Sequence, residues 1–146
     1  MQIQVVCEAL ATLCCALFTG AALYVSLVEH PARLQCGTRI AITEFAPSYK
    51  RGTLMQASLA AAGTLASIAA WLLGSGSSWL IGGLLLGAVI PFTLLVIFPT
   101  NKQLLDRSLE KDSDHARKLL VRWGRLHAVR SGLSLASLLL FLFGQV

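Results

Sequence analysis

Four apolar runs, each close to twenty residues long, leave this chain few ways to fold. They cover residues 5–28, 54–73, 79–98 and 126–143. A helix of roughly 20 residues crosses the ~30 Å hydrocarbon layer of a bilayer. No water is available there to satisfy backbone N–H and C=O groups, so each run must bond within itself as a helix. A membrane β-barrel would instead show alternating segments of about ten residues, and the chain has none. The expected fold is all-α: an integral membrane four-helix bundle, with residues 1–146 forming one transmembrane domain. Composition agrees, since 13% of residues are charged against about 25% in soluble domains, and mean hydropathy is +0.70. No basic residue precedes the first run, which is also too long for a signal-peptide core, so it is read as a retained helix.

The connections are unequal. Gly74–Ser78 is short and uncharged, a tight turn that makes the second and third spans an antiparallel hairpin. Residues 31–53 and 99–125 are long and polar, and all 12 Lys and Arg residues lie in them or just beyond, at Arg130. By the positive-inside rule both long connections are cytoplasmic and both termini lie outside. The net charge of +5 then reports topology and contact with anionic membrane lipids. It does not point to nucleic acid, because no aromatic platform accompanies the basic residues.

Within the first connection, Leu34, Ile40, Ile42 and Phe45 alternate with Thr38, Arg39 and Glu44, as in a short amphipathic helix at the interface over residues 33–46. Pro47 is expected to end it and open the second span. In the third connection, Lys111, Asp112, Asp114, Arg117 and Lys118 suit intrahelical ion pairs. The fourth helix is therefore expected to start near Asp112 or Ser113, with Ser113 as its cap, and to extend into the cytoplasm.

Small residues dominate the second span, and the third carries Gly83-Leu-Leu-Leu-Gly87. This spacing lets membrane helices approach closely. Its first expected use is packing within the chain, and its second a homo-oligomer through Gly83 and Gly87. Pro91 lacks the N–H that would bond the Gly87 carbonyl, so a kink is expected, either opening a cavity or simply bending the helix. Cys7, Cys14, Cys15 and Cys36 include no Cys-x-x-Cys pair, so no redox or zinc motif is present, and the three in the first apolar run read as small buried residues.

Topology alone collects chemistry in one layer. Glu29 and His30 end the first span, and Tyr49 and Gln56 start the second. Asn101 ends the third, while Trp123, His127 and Arg130 start the fourth. The last three are spaced i, i+4, i+7 and share a helix face. Thr19, Leu23, Ser26 and His30 line a face of the first helix. A neutral imidazole serves as base or acid near neutral pH. A charge one turn inside a membrane helix is expensive and usually paired, with Glu29 the expected partner of Arg130 and Asn101 completing the network. Trp123, Arg33 and Arg125 also suit simple headgroup anchors, and Glu8, near the opposite end, reads as interfacial. Two histidines and a carboxylate (His30, His127, Glu29) admit a non-haem iron or zinc site. Their spacing is not that of a ligand pair, and the favoured reading needs no metal or other cofactor.

The stretches LYVSLVEHPARL (23–34), APSYKRGTLMQASLA (46–60), FPTNKQL (98–104) and RWGRLHAVRSGLSL (122–135) resemble the anthrone oxygenase-like family of small integral membrane proteins. The resemblance spans about residues 5–143, in order. That family is largely a bacterial domain of unknown function, which implies a bacterial inner membrane. Some fungal members are associated with oxidation of anthrones to anthraquinones. By position, the family's polar signature falls on Glu29, His30, Pro31, Asn101, Trp123, His127 and Arg130.

The resemblance implies an oxygenase acting on a hydrophobic aromatic or phenolic substrate with O2. His127, then His30, is the expected base, and Arg130 and Asn101 stabilise the oxyanion. Glu29, Trp123, Tyr49 and Gln56, which share the same layer, are the expected substrate contacts. The alternative is a non-catalytic bundle that binds a lipid, a quinone or a partner membrane protein, and a third reading is a metal-dependent membrane oxidase.

Overall fold

The computed structural model describes residues 1–144; the last two residues of the expected domain lie outside the described residues. Four helices are long and apolar enough to span a membrane: α1 (Gln2–Gln35), α2 (Thr38–Leu72), α3 (Ser77–Leu104) and α4 (Asp114–Phe143). Among the described residues there is no strand. The protein is an all-α integral membrane four-helix bundle. The helices form a square in which α1 and α3 each flank both α2 and α4.

Every helix outruns its apolar run, most of all around the prolines. α1 continues through Pro31 to Gln35, and only Cys36 and Gly37 separate it from α2. Gly37 makes that turn at φ +93°, a conformation side chains disfavour. The expected amphipathic segment is helical, but it is not a separate interfacial helix. Its later part is the start of α2, which runs unbroken through Pro47. Thr43, whose carbonyl loses its partner at Pro47, is exposed, as is Pro47 itself, so that carbonyl is left at the surface rather than orphaned in a core. Ala41, Ile42 and Phe45 pack instead on Leu104, Leu119, Leu120 and Trp123.

Two π turns explain how α1 and α3 tolerate proline. Val25–Glu29 precedes Pro31, and Thr93–Ile97 precedes Pro99. The His30 N–H reaches back five residues to the Val25 carbonyl, and the Phe98 N–H to that of Thr93. The next residue in each case is the proline, which has no N–H to place. Pro91 lies inside α3 two residues before the second π turn. The π turn Thr93–Ile97 thus follows closely on Pro91, and both are places where helices commonly deviate.

Two apolar clusters hold the square together. One, toward the termini, contains Phe18, Leu86, Val89 and Phe141 among small residues Ala11, Ala22, Ala60, Ala66 and Ala70. Trp79 stacks on Phe141 there at 4.9 Å. The other contains Phe45, Ile97, Leu104, Leu120 and Trp123. Close approach of α2 and α3 depends on glycine. Gly83 faces Ser67, and a Cβ on Gly87 would lie 3.1 Å from the Thr64 methyl. The Gly83/Gly87 face is therefore covered within the chain.

At the far turn, Ser75 donates to Glu8 at 2.7 Å, tying α1 to the α2–α3 hairpin. Between α3 and α4, Asp106 accepts from the Ser108 N–H and hydroxyl, both at 2.8 Å. These two bonds hold its carboxyl below the usual carboxylate range. α4 starts as expected, with Ser113 Oγ accepting from the Ala116 N–H at 3.1 Å. The intrahelical pairs expected among Lys111, Asp112, Asp114, Arg117 and Lys118 do not form. Among the described residues the ion pairs belong to Arg33.

Candidate active site

Between the two apolar clusters lies a cavity of about 150 Å³. Phe18, Ala60 and Val89 line it from one cluster, and Phe45, Ile97 and Trp123 from the other. Six of the eight candidate site residues border it, Tyr49, Gln56, Asn101, Trp123, His127 and Arg130, and Arg33 lines it as well. Glu29 and His30 do not.

The face shared by Trp123, His127 and Arg130 forms as their spacing predicts. Trp123 stacks on His127 at 4.8 Å, with Phe45 edge-on at 5.3 Å. His127 is 3% exposed and uses both ring nitrogens. Its Nδ1 lies 2.9 Å from Ser26 Oγ, and its Nε2 lies 3.2 Å from an Arg130 Nη. A guanidinium can only donate. His127 Nε2 therefore accepts, which puts the imidazole proton on Nδ1, donated to Ser26. Ser26 is in turn 2.9 Å from Ser131 Oγ, whose hydroxyl has the Ala22 and His127 carbonyls within 3.1 Å. The network selects one neutral tautomer and leaves the Nε2 lone pair on the Arg130 side.

Arg130 is where expectation and structure part. It donates to Gln56 Oε1 and to His127, and its charge lies 5.4 Å from the Phe18 ring. Its Nε is buried without a partner among the described residues. Glu29, expected opposite it, accepts instead from Arg33 one turn along its own helix and from Ser48 of α2 at 3.2 Å. Arg33 also pairs with Glu44 at 3.0 Å. Both arginines line the cavity; among the described residues Arg33 has two carboxylates and Arg130 has none, so Arg130 is the uncompensated cation on the cavity wall.

Asn101 is 1% exposed, and its Oδ1 has no hydrogen-bond partner among the described residues. It does not complete the expected network; it borders the cavity with an unsatisfied acceptor. His30 does face α4, but it packs over Gly124, where a Cβ would lie 2.6 Å from its Nε2. Trp123, 5.1 Å from the His30 ring, stands on the cavity wall in its place. Both His30 ring nitrogens are buried without a hydrogen-bond partner among the described residues.

Sequence reasoning gave Ser131 no role, although it lies four residues after His127 and its position was readable. It read Arg33 as a headgroup anchor, although Arg33 lies four residues after Glu29. Phe18 carried no signal, since its role depends on how α1 and α4 meet. Glu29 accepts from Arg33 and Ser48, and among the described residues no group of three His, Cys, Asp or Glu side chains converges.

Fold and site together define a small membrane bundle with a neutral histidine and a carboxylate-free arginine on the wall of an apolar cavity. Residues 45–140 match the family model described as "Anthrone oxygenase". The protein named Anthrone oxygenase tpcL, from Aspergillus fumigatus, is 31% identical over 137 residues, covering 87% of this chain and 85% of that protein. No solved structure matches the chain. The chain belongs to the anthrone oxygenase family, as the four sequence stretches implied.

Proposed function

We propose that this protein is a membrane oxygenase that converts an anthrone-like methylene to a carbonyl with O2. The observation that carries this reading is the contact between an unprotonated His127 Nε2 and Arg130, a cation without a carboxylate, at the wall of an apolar cavity. His127 Nε2 takes a proton from the methylene, whose electron pair delocalises onto the substrate's carbonyl oxygen. Arg130 shifts from Nε2 to that oxyanion, with Asn101 donating its amide beside it. Placing such donors where charge develops is commonly the largest catalytic contribution.

The carbanion is oxidised by O2. The new C–O bond gives a peroxide, which takes up one proton. Loss of the second methylene hydrogen and cleavage of the O–O bond leave a carbonyl and release water. One O2 is consumed, and the substrate methylene supplies the two hydrogens of that water. Trp123, Tyr49 and Phe45 present aromatic surface to the rings. Gln56 holds Arg130 in position, and His30 holds Trp123 from behind.

The positive-inside rule puts the α1–α2 and α3–α4 connections, and this site, on the cytoplasmic side. Purified wild type, His127→Ala and His30→Ala are compared for anthrone loss under air and for O2 uptake. His127→Ala should lose about 10²–10⁴-fold in turnover, the usual contribution of a general base, and His30→Ala should lose less. Unchanged turnover in His127→Ala would overturn the assignment. Wild type that binds anthrone without O2 uptake would return the chain to the ligand-binding reading.

A further inference from the structure

The cavity is closed toward α1 and α4 but not toward the gap between α2 and α3. Thr53 and Ala57 of α2 and Ile90 and Leu94 of α3 line the cavity and are also exposed on the outside of the bundle. Leu94 is 60% exposed. Ala57, Ile90 and Leu94 fall within the apolar runs 54–73 and 79–98, so the gap opens at hydrocarbon depth. Toward the termini the same two helices are tightly joined, with Gly83 against Ser67 and Gly87 against Thr64. Past Gly87, α3 carries Pro91 and the π turn Thr93–Ile97, and the cavity lies between the helices there.

Size adds a second constraint. A cavity of about 150 Å³ matches the volume that takes up a single benzene ring in an apolar protein interior. Three fused rings exceed it. A tricyclic molecule whose oxygen reaches Arg130 must extend beyond the closed end, and the α2–α3 gap is where the wall is open.

We propose that the gap between α2 and α3, rimmed by Thr53, Ala57, Ile90 and Leu94, is a lateral portal from the bilayer. The substrate enters through it and, when bound, keeps its oxygenated ring in the closed end and its remaining rings in the portal. This inference rests on the oxygenase reading for the identity of the ligand. The portal determines which substrates are accepted: flat, bilayer-soluble polycyclic hydroxyaryl ketones pass, while bulky or strongly charged ones do not.

The test uses Ala57→Phe and Leu94→Trp on opposite rims, with Leu17→Phe as a lipid-facing control on α1, where Leu17 is 53% exposed. None of the three residues belongs to the proposed catalytic machinery. Each protein is reconstituted in phosphatidylcholine nanodiscs. Association of anthraquinone is followed by tryptophan quenching, and anthrone turnover by O2 uptake. Both rim variants should slow anthraquinone association and lower kcat/KM for anthrone by about tenfold, the factor one overpacked contact imposes on passage. Inhibition by phenol, which fits the closed end, should change much less, and the Leu17 variant should match wild type.

Equal association rates in wild type and both rim variants would overturn the portal even if turnover is observed. If wild type binds anthraquinone but consumes no O2, the oxygenase reading fails, while slowed association in the rim variants still supports the portal. Absence of any binding by wild type overturns both.

Discussion

Arg130→Met separates a structural role for the buried cation from a catalytic one. In the folded protein Arg130 makes two charge-assisted hydrogen bonds, to Gln56 and His127, and faces the Phe18 ring. Hydrogen bonds to a charged group contribute about 1.5–3 kcal/mol each, and a desolvated cation–π contact about 2 kcal/mol. Against this stands the desolvation of an ion with no carboxylate partner, several kcal/mol in a low-dielectric interior. The terms oppose each other and are similar in size. Methionine fills much of the same volume, so stability should change by no more than about 2 kcal/mol.

Catalysis should not be balanced in this way. Removing one preorganised donor from an oxyanion costs about 10²–10³ in kcat, and no other cation on the cavity wall is without a carboxylate. The assay is O2 uptake and anthrone loss in nanodiscs, alongside thermal unfolding followed by intrinsic fluorescence. The expected result is a near-native melt with at least a hundredfold loss of kcat. Wild-type kcat in Arg130→Met would refute the oxyanion role. A large drop in melting temperature with activity lost in proportion would show that the cation is structural.

Two further outcomes follow from packing. Gly124→Ala adds a Cβ 2.6 Å from His30 Nε2, so the buried ring must move; the strain of about 1–3 kcal/mol exceeds or offsets the ~1 kcal/mol gained in helix propensity. His30→Ala in the same chain should relieve that strain, and a double-mutant cycle on melting temperature showing no coupling between the two positions would refute the contact. Ser113→Ala removes the α4 cap and should cost about 1 kcal/mol, read as faster amide exchange at Ala116 without loss of turnover.

The sequence by itself determined the membrane and the number of spans. Hydropathy adds along a segment, and four runs this apolar have no other stable setting. It also determined the Ser113 cap and the common face of Trp123, His127 and Arg130, because both depend on spacing within one helix. It misled at Pro31 and Pro47, where composition suggested helix breaks. The π turn before Pro31 and the exposed carbonyl at Thr43 absorb the missing N–H groups, and neither is visible in composition.

Only the tertiary structure decided which side chains meet. One added residue in a π turn rotates everything downstream by about 100°, so the faces of α1 and α3 beyond their π turns could not be phased from their apolar runs. That phase, with the rotation of each helix about its own axis, put Glu29 beside Ser48 of α2, left Arg130 to Gln56, and set His30 behind Trp123 rather than on the cavity wall. The cavity exists because two apolar clusters close on either side of this polar layer without filling it. That is a property of four helices packed together, which no single run contains.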